Sequence, residues 1–306
     1  MMSNDIGTVF MVKTDKRTEG IRNLLENYDM ADFKGKNIAL KANFNSADPF
    51  PASSHPDTVQ TLVKCIKNHN PSNIILAERS GMGNTRDVLE QMKIMELGKK
   101  EDFEVRVLDD EDIDEWLKIE SEGNHWLRGF YISKIFTDAD KVVQTCCLKA
   151  HRFGGHFTLS LKNSVGIVAK RVPGGVYNYM GELHISPYQR SMIAEINNNY
   201  DVDLILMDGM KAFVDKGPEQ GHVVEPNLIM MSNDRVAIDA VGIAILRHYG
   251  TTKDISKGNI FDLEQIKRAA ELDIGVNSAD KIKIVGLNPE SEAVAGELEQ
   301  ILRTNE

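Results

Sequence analysis

Short apolar runs alternate with helical patterns along most of this sequence, and this alternation restricts the fold more than any other feature. The run NIALKAN at residues 37–43 precedes an apolar helical stripe in SSHPDTVQTLVKCIKNH, and NIILAER precedes a helix expected at residues 85–97. Later runs at DKVVQTCCL, DLILMD, NLIMMS and KIKIVG repeat the pattern. Strands that alternate with helices form largely parallel sheets. The sequence therefore predicts an α/β fold, with a mostly parallel or mixed sheet and helices on both faces.

The domain organisation follows from the same pattern. The chain has 306 residues, a length that suits one large α/β domain. We expect an N-terminal extension at residues 1–35, an α/β domain at residues 36–250, and a C-terminal completion of the same domain at residues 251–306. A long functional loop or small lobe is expected around residues 150–182, because this glycine-rich stretch is longer than an ordinary connection between strands.

Local signals place several helix boundaries. Ser54 is expected to cap a helix that has Pro56 in its first turn, and Asn233 or Asp234 is expected to cap another. The acidic segment DDEDIDEWLKIESEG is expected to form a solvated helix with Trp116 and Leu117 facing inward. The turn ERSGMGN lacks the last glycine of a dinucleotide-binding loop, so it predicts a tight strand-to-helix turn with Glu78 or Ser80 at the edge of a site.

Charge and cysteine content exclude several classes of function. The formal net charge is −10, and binding to nucleic acid or to an anionic membrane depends on a basic surface, so we expect neither partner. The sequence shows no apolar leader and no run of about 18 apolar residues, which predicts a cytoplasmic protein. Its 3 cysteines predict neither a disulfide framework nor an intrinsic four-cysteine iron–sulfur cluster.

One segment departs from the acidic character of the chain. Residues 141–181 contain no Asp or Glu, yet six Lys and Arg residues lie within them. Six basic residues over this length are too sparse to reverse the negative field of the whole protein at a distance. They can act at short range where solvent is partly excluded, so the segment predicts a recessed site for a small anion.

Side chains in this segment suit such a site. In an extended strand, Cys147, Lys149 and His151 project to one face and Cys146 to the other, which argues against a two-cysteine metal site. The Cys147 thiol has two interpretations: it is an ordinary half-buried strand residue, or its pKa is lowered by the nearby lysine. Thr158, Lys162 and Asn163 add hydroxyl, ammonium and amide donors that suit an anion or a carbonyl oxygen.

Two aspartates are further candidates. Asp208 ends an apolar strand, where catalytic residues of parallel sheets cluster, so it is expected to act as a base, a metal ligand or a lysine partner. The alternative is an Asp that caps the following turn. Asp239 lies inside a helix and needs a partner if it faces inward. A divalent metal held by Asp208 and Asp239 is therefore a candidate cofactor, although the histidines show no metal-binding spacing.

The motifs in their order along the chain resemble a known family. The segments IALKANF, HPDTVQTLV, CLKAHRFGGHFTLSLKNSVG, LILMDGMKAFVDKGPEQGH and LIMMSNDRVAIDAVG are similar to those of the domain of unknown function family numbered 362, over roughly residues 36–250. The resemblance implies the following family-like positions: Lys41, Lys149, His151, Lys162, Asn163, Asp208, Gly209, Gly217, Pro218, Asp234 and Asp239. Many relatives are joined to a ferredoxin-like domain with four-iron four-sulfur clusters, a part that we expect to be absent here.

Two functional hypotheses result. In the first, an enzyme acts on a small carboxylate or phosphate. Lys149, His151 and Asp208 then form the catalytic set, and the substrate is bound by Lys41, Asn43, Thr158, Lys162 and Asn163. In the second, the protein binds a cofactor or assists redox chemistry together with a separate ferredoxin-like partner. The resemblance does not name the reaction.

Overall fold

The computed structural model describes residues 6–304 and contains a large sheet with helices on both of its faces. The strands are β1 (Gly7–Lys13), β2 (Asn37–Lys41), β3 (Asn73–Glu78), β4 (Glu104–Val107), β5 (Trp116–Ile119), β6 (Phe130–Ser133), β7 (Lys141–His151), β8 (His156–Thr158), β9 (Leu204–Phe213), β10 (Val223–Val224), β11 (Leu228–Ser232) and β12 (Ile282–Gly286). The helices are α1 (Arg17–Glu26), α2 (Pro56–Lys67), α3 (Thr85–Gln91), α4 (Ile94–Glu101), α5 (Lys134–Thr137), α6 (Ser160–Asn163), α7 (Tyr179–Ile185), α8 (Gln189–Ile196), α9 (Arg235–His248), α10 (Lys253–Ser256), α11 (Glu264–Glu271) and α12 (Pro289–Arg303).

The sheet is mixed, which confirms the predicted α/β class. Its strand order is β12-β1-β11-β9-β7-β2-β3-β4, and the pairs from β9 through β7, β2 and β3 to β4 are all parallel. Strand β11 is antiparallel to both of its neighbours. The short strands β8 and β10 extend β7 and β9 as antiparallel additions, and β5 pairs with β6 in a separate small sheet.

Each face of the sheet is covered by its own helices. On one face Leu148 of β7 packs in a cluster with Ile238 and Val241 of α9. On the opposite face Val143 of the same strand packs in a cluster with residues of α1 and α2. Both faces are therefore apolar, which explains why the strands read as nearly continuous apolar runs.

The terminal segments are part of the sheet. Strand β1 lies between β11 and β12, so residues 7–13 of the expected extension run through the sheet, and helix α1 packs against them. Residues 1–5 lie outside the described part of the chain. Strand β12 forms one edge, and α12 packs against β12 and α9. Hydrophobic burial of Val9 and Met11, both fully enclosed, accounts for the position of β1.

The helix boundaries in the structure agree with some of the local sequence signals and differ from others. The acidic segment is not a helix: it forms two short 3₁₀ turns followed by β5, in which Trp116 is buried and Leu117 is exposed. The residue that caps α2 is His55 instead of Ser54, and its ring nitrogen accepts from the Asp57 amide. Asp234 caps α9 as expected. Within residues 6–304, every helix is too short or too polar to span a bilayer.

Candidate functional site

A cavity of about 280 Å³ lies at the carboxyl ends of β2, β3 and β7, where residues of the expected lobe cover the sheet edge. All of the predicted catalytic and substrate-binding residues except Asp208 line this cavity, and the predicted metal ligand Asp239 does not. The predicted residues that line it are Lys41, Asn43, Lys149, His151, Thr158, Lys162 and Asn163. Parallel strands bring their carboxyl ends to one edge, which is why residues so far apart in sequence meet there.

A buried ion pair forms one wall of the cavity. Lys41 Nζ lies 2.6 Å from Glu78 Oε1 at the ends of neighbouring strands, and both side chains are almost fully buried. The second Glu78 oxygen accepts from the Phe44 amide at 3.1 Å. Burial lowers the pKa of Lys41 and raises the pKa of Glu78, while their mutual attraction opposes both shifts. Lys41 also donates to the Ala42 carbonyl and to Asn163, so its three N–H groups are engaged within the protein.

Gly166 is required for the close approach of this pair. A Cβ atom at Gly166 would lie 2.7 Å from Lys41 Nζ and 2.7 Å from Glu78 Oε1. We expect Gly166→Ala to lower the free energy of unfolding by about 1–3 kcal/mol, because an added methyl must displace two buried, bonded groups. Chemical denaturation measures this change. Gly296→Ala is the matched control: no atom lies within 4 Å of the added methyl, so that variant should lose nothing.

Two asparagines connect Lys41 to Lys149. Asn163 Oδ1 accepts from Lys41 and, at 3.3 Å, from Asn43 Nδ2. Asn43 Oδ1 in turn accepts from Lys149 Nζ at 3.0 Å. The network restricts the positions of both amides and both ammonium groups, because it joins β2 and the residues that follow it to β7 and α6.

Lys149 is a fully buried cation with spare hydrogen-bonding capacity. Its ammonium donates to Asn43 Oδ1 and to the Ala52 carbonyl, which leaves one of its three N–H groups unused. Within residues 6–304, no Asp or Glu forms an ion pair with it. Burial lowers the pKa of Lys149, because the surroundings solvate the ammonium poorly. Glu219 and Asp48 oppose this shift from a longer range, so an anion that accepts the third N–H would supply the direct counter-charge.

Lys162 presents a second ammonium to the cavity. It lies in α6, is half-buried, and has no hydrogen-bond or ion-pair partner among residues 6–304. Burial, together with the nearby charges of Lys149 and Arg79, lowers the pKa of Lys162 to about 7. Near neutral pH this side chain is therefore divided between ammonium and free amine.

Two histidines stand beside Lys162. His151 Nδ1 accepts from the Phe153 amide at 3.2 Å, and burial lowers its pKa, so the neutral ring carries its proton on Nε2. His184 of α7 has the opposite arrangement, since its Nδ1 lies 2.6 Å from the Met180 carbonyl and must donate to it. The neutral His184 ring therefore has an unprotonated Nε2. One histidine offers a donor and the other offers an acceptor.

Asp208 lies at the same end of the sheet but outside the cavity. It pairs in register with Cys147 and faces α1 and α2, where Arg17 Nε lies 2.8 Å and Thr58 Oγ1 2.5 Å from its Oδ2. A bulge in β9 then places Phe213 opposite Lys149. Asp208 thus joins the amino-terminal helices to the sheet, and the expected pairing of Lys149 with Asp208 is replaced by contacts to Asn43 and Ala52.

Asp239 binds the amino-terminal end of α6. Its carboxylate accepts from the backbone amides of Ser160 at 2.7 Å and of Leu161 at 3.0 Å, at the start of the helix that presents Lys162. Burial raises the pKa of Asp239 to about 8. Asp239 belongs to α9 and therefore lies on the face of the sheet opposite to Asp208, so the two carboxylates do not share an ion. Residues 6–304 contain no group of three or more His, Cys, Asp and Glu side chains able to hold a metal.

The Cys147 thiol is a buried strand residue. Burial raises its pKa to about 11, and the lowering effect of Lys149 is the smaller contribution. The alternative of an activated thiolate is therefore disfavoured. Cys146 belongs to the apolar cluster on the other face, as the strand alternation predicted.

Arg79 and His184 were not singled out from the sequence. Arg79 directly follows β3 and donates to the carbonyl oxygens of Val165 and Val168, which ties the lobe to the sheet. Its position in ERSGMGN after a buried strand was the available signal. His184 lies on a helix whose sequence has no distinguishing pattern, so the tertiary structure alone reveals its place at the cavity.

The fold and the cavity define an α/β protein with a cation-lined pocket at the carboxyl edge of its sheet. Residues 38–244 match the family model described as Domain of unknown function (DUF362), and the chain belongs to this family. No curated protein matches the sequence.

Two solved structures show a distant overall similarity to this chain. The lactate racemase apoprotein from Thermoanaerobacterium thermosaccharolyticum is 13% identical, with a TM-score of 0.47 over 97% of this chain and 87% of that one. A protein from Thermotoga maritima is 17% identical, with a TM-score of 0.38 over 63% of this chain and 50% of that one. Neither likeness is close enough to support an inference about activity.

Proposed function

We propose that the protein is an enzyme that binds a small carboxylate or phosphate in this cavity and acts on it by acid–base chemistry. The excess of cations over acids in the cavity wall is the observation that supports this proposal. Lys149, Lys162 and Arg79 line the cavity, whereas Glu78, the one acid among the described lining residues, is already paired with Lys41. A bound anion would restore the balance of charge.

The opening of the cavity favours a ligand with an apolar part. Met82 and Phe153 line the cavity and are 41% and 47% exposed, whereas the lysine at the bottom, Lys149, is fully buried. Met180 and Val165 add further apolar surface. An anionic group at the bottom with a short apolar portion toward the opening matches this distribution.

The titration of Lys162 supports catalysis over simple binding. A group whose pKa lies near the working pH can both release and accept a proton at low cost. Lys162, with its pKa near 7, is such a group, and the two histidines beside it offer a donor and an acceptor. Perturbed titration in a cavity is typical of working sites.

A thermal-shift experiment tests the proposal. The wild-type protein is heated with acetate, phosphate, 3-phenylpropanoate and, as the neutral analogue, 3-phenylpropanamide, each at low and at high salt. We expect stabilisation by the anions, little by the amide, and retention of much of the effect at high salt because the site is recessed. A steep loss of binding with salt, together with tight binding of DNA or RNA, would instead indicate an exposed phosphate-binding surface and contradict the proposal.

The pH dependence of anion binding provides a further prediction. The ammonium form of Lys162 binds the anion, so affinity should be highest below pH 7 and decrease as the pH rises through the pKa of about 7. Calorimetric titration with 3-phenylpropanoate, whose carboxylate stays ionised over this range, measures the effect. Lys162→Arg keeps its charge at every pH examined and should remove the dependence. A decrease of the same size in Lys162→Arg would assign the titration to another group.

A further inference from the structure

We infer that Lys162 is a nucleophile that forms an imine with the carbonyl carbon of a small 2-oxo acid. This inference rests on the proposed function, because the carboxylate of the oxo acid is the anion that the cavity binds. It goes further by naming the substrate class and the atom that attacks.

The geometry around Lys162 leaves its nitrogen available. Its Nζ has no hydrogen-bond or ion-pair partner among residues 6–304, in contrast to Lys41, whose three N–H groups are all engaged. Its stem passes directly over Gly155, where a Cβ atom would lie 2.6 Å from Lys162 Cε and 3.5 Å from His151 Nδ1. The missing side chain at Gly155 therefore allows the amine and the imidazole to lie side by side at the cavity.

A carboxylate site and a nucleophilic amine stand next to each other in this cavity. Lys149 retains one unused N–H for a carboxylate oxygen, and it is close enough to Lys162 to influence its titration. In a 2-oxo acid the carboxylate and the carbonyl carbon are directly bonded. A carboxylate held by Lys149 thus places the carbonyl carbon near Lys162, which reduces the entropic cost of the attack.

The charges around Lys162 maintain a reactive amine. The groups that face it are Lys149 and His151 from β7, Arg79 after β3, and His184 from α7, and none of them is an acid. Glu78, the one acid among the cavity-lining residues within 6–304, is engaged with Lys41. Burial beside other cations is the established way in which proteins convert a lysine into a nucleophile at neutral pH.

The reaction balances without a further reactant. The Lys162 lone pair attacks the carbonyl carbon, an N–C bond forms, and the C–O π electrons move to oxygen. His151 Nε2–H hydrogen-bonds that oxygen and stabilises its developing charge. His184 Nε2 takes one proton from the nitrogen and returns it to the oxygen, which gives a carbinolamine. The second nitrogen proton follows the same route to the hydroxyl group, the nitrogen lone pair forms the C=N bond, and the C–O bond breaks to release water. Nothing is oxidised or reduced, and the product is an imine between Lys162 and the former carbonyl carbon.

Reductive trapping tests this assignment on the full chain. The wild-type protein is incubated with phenylpyruvate, whose aromatic ring suits the apolar opening, and then with sodium cyanoborohydride. We expect one adduct, with the mass of phenylpyruvic acid less one oxygen atom, and peptide mapping should place it on Lys162. Lys162→Arg should lose the adduct, and Lys170→Met, whose side chain does not line the cavity, should retain it.

The outcomes separate the two proposals. Stabilisation by phenylpyruvate and 3-phenylpropanoate without any trapped adduct would overturn the nucleophile and leave the anion site intact. An adduct on Lys149, or adducts spread over exposed lysines and unchanged in Lys162→Arg, would also overturn the assignment to Lys162. Absence of both stabilisation and adduct would overturn the anion site and the nucleophile together. Because mapping is done on the wild type, the result does not depend on whether a variant folds.

Discussion

Replacing Lys149 by methionine should abolish the stabilisation of the protein by small anions. The ammonium is fully buried, uses two of its N–H groups on Asn43 and Ala52, and has one left for the ligand. A hydrogen bond to a charged group contributes about 1.5–3 kcal/mol. Its loss should therefore weaken binding by roughly 10- to 150-fold, which is enough to remove a thermal shift at millimolar ligand.

Methionine is the suitable replacement because it fills a similar volume without the charge. Lys162→Met should lose anion binding in the same way, whereas Lys170→Met should behave as wild type because Lys170 lies outside the cavity lining. Calorimetry with 3-phenylpropanoate quantifies all three variants, and their thermal unfolding without ligand shows that each is folded. Equal behaviour of the three variants would contradict a specific pocket formed by Lys149 and Lys162.

Glu78→Gln should produce the largest loss of stability. This change leaves the Lys41 ammonium buried without its counter-ion, and removal of one partner from a buried pair costs about 3–5 kcal/mol. The loss is measured as the change in the free energy of unfolding by chemical denaturation. The double variant Lys41→Met with Glu78→Gln removes both charges and should recover most of the loss.

An exposed ion pair provides the control. Lys118 and Glu120 form a pair at 2.7 Å, but both side chains are largely in solvent, so Glu120→Gln should change stability by less than about 1 kcal/mol. If Glu78→Gln costs no more than Glu120→Gln, the pair at the cavity does not hold the strand ends together as described. If the double variant is as unstable as the single one, the loss arises from hydrogen bonds to Glu78 and not from the unpaired charge.

Many features of the site were predictable because they depend on local patterns. A lysine at the end of an apolar strand lies at the carboxyl edge of the sheet, where the parallel strands end. Alternation along the strand also correctly placed Cys146 and Cys147 on opposite faces. The acid-free segment pointed to Lys162, since a cationic stretch in an acidic chain indicates a local counter-charge. These inferences used spacing and composition, which neighbouring residues determine by themselves.

The partners of the buried charges were not predictable, because they come from distant parts of the chain. Asp208 is bound by Arg17, which is 191 positions away, instead of by a lysine of the cavity. Asp239 meets the start of α6, 79 positions earlier, and supports the backbone there instead of a metal. Each carboxylate could have been satisfied by several donors, and packing of the helices on the sheet decided among them.

The sequence by itself determined the α/β class and the positions of most strands, because apolar periodicity requires a buried surface for each element. It also determined that Lys149, His151 and Lys162 lie near one another, because they share one strand and the segment that follows it. The tertiary structure alone decided that β1 runs through the sheet, that Glu78 and not Asp208 pairs with a cavity lysine, and that His184 joins the site. Those contacts depend on which surfaces meet when the chain is packed, and a buried charge accepts whichever partner that packing brings within hydrogen-bonding distance.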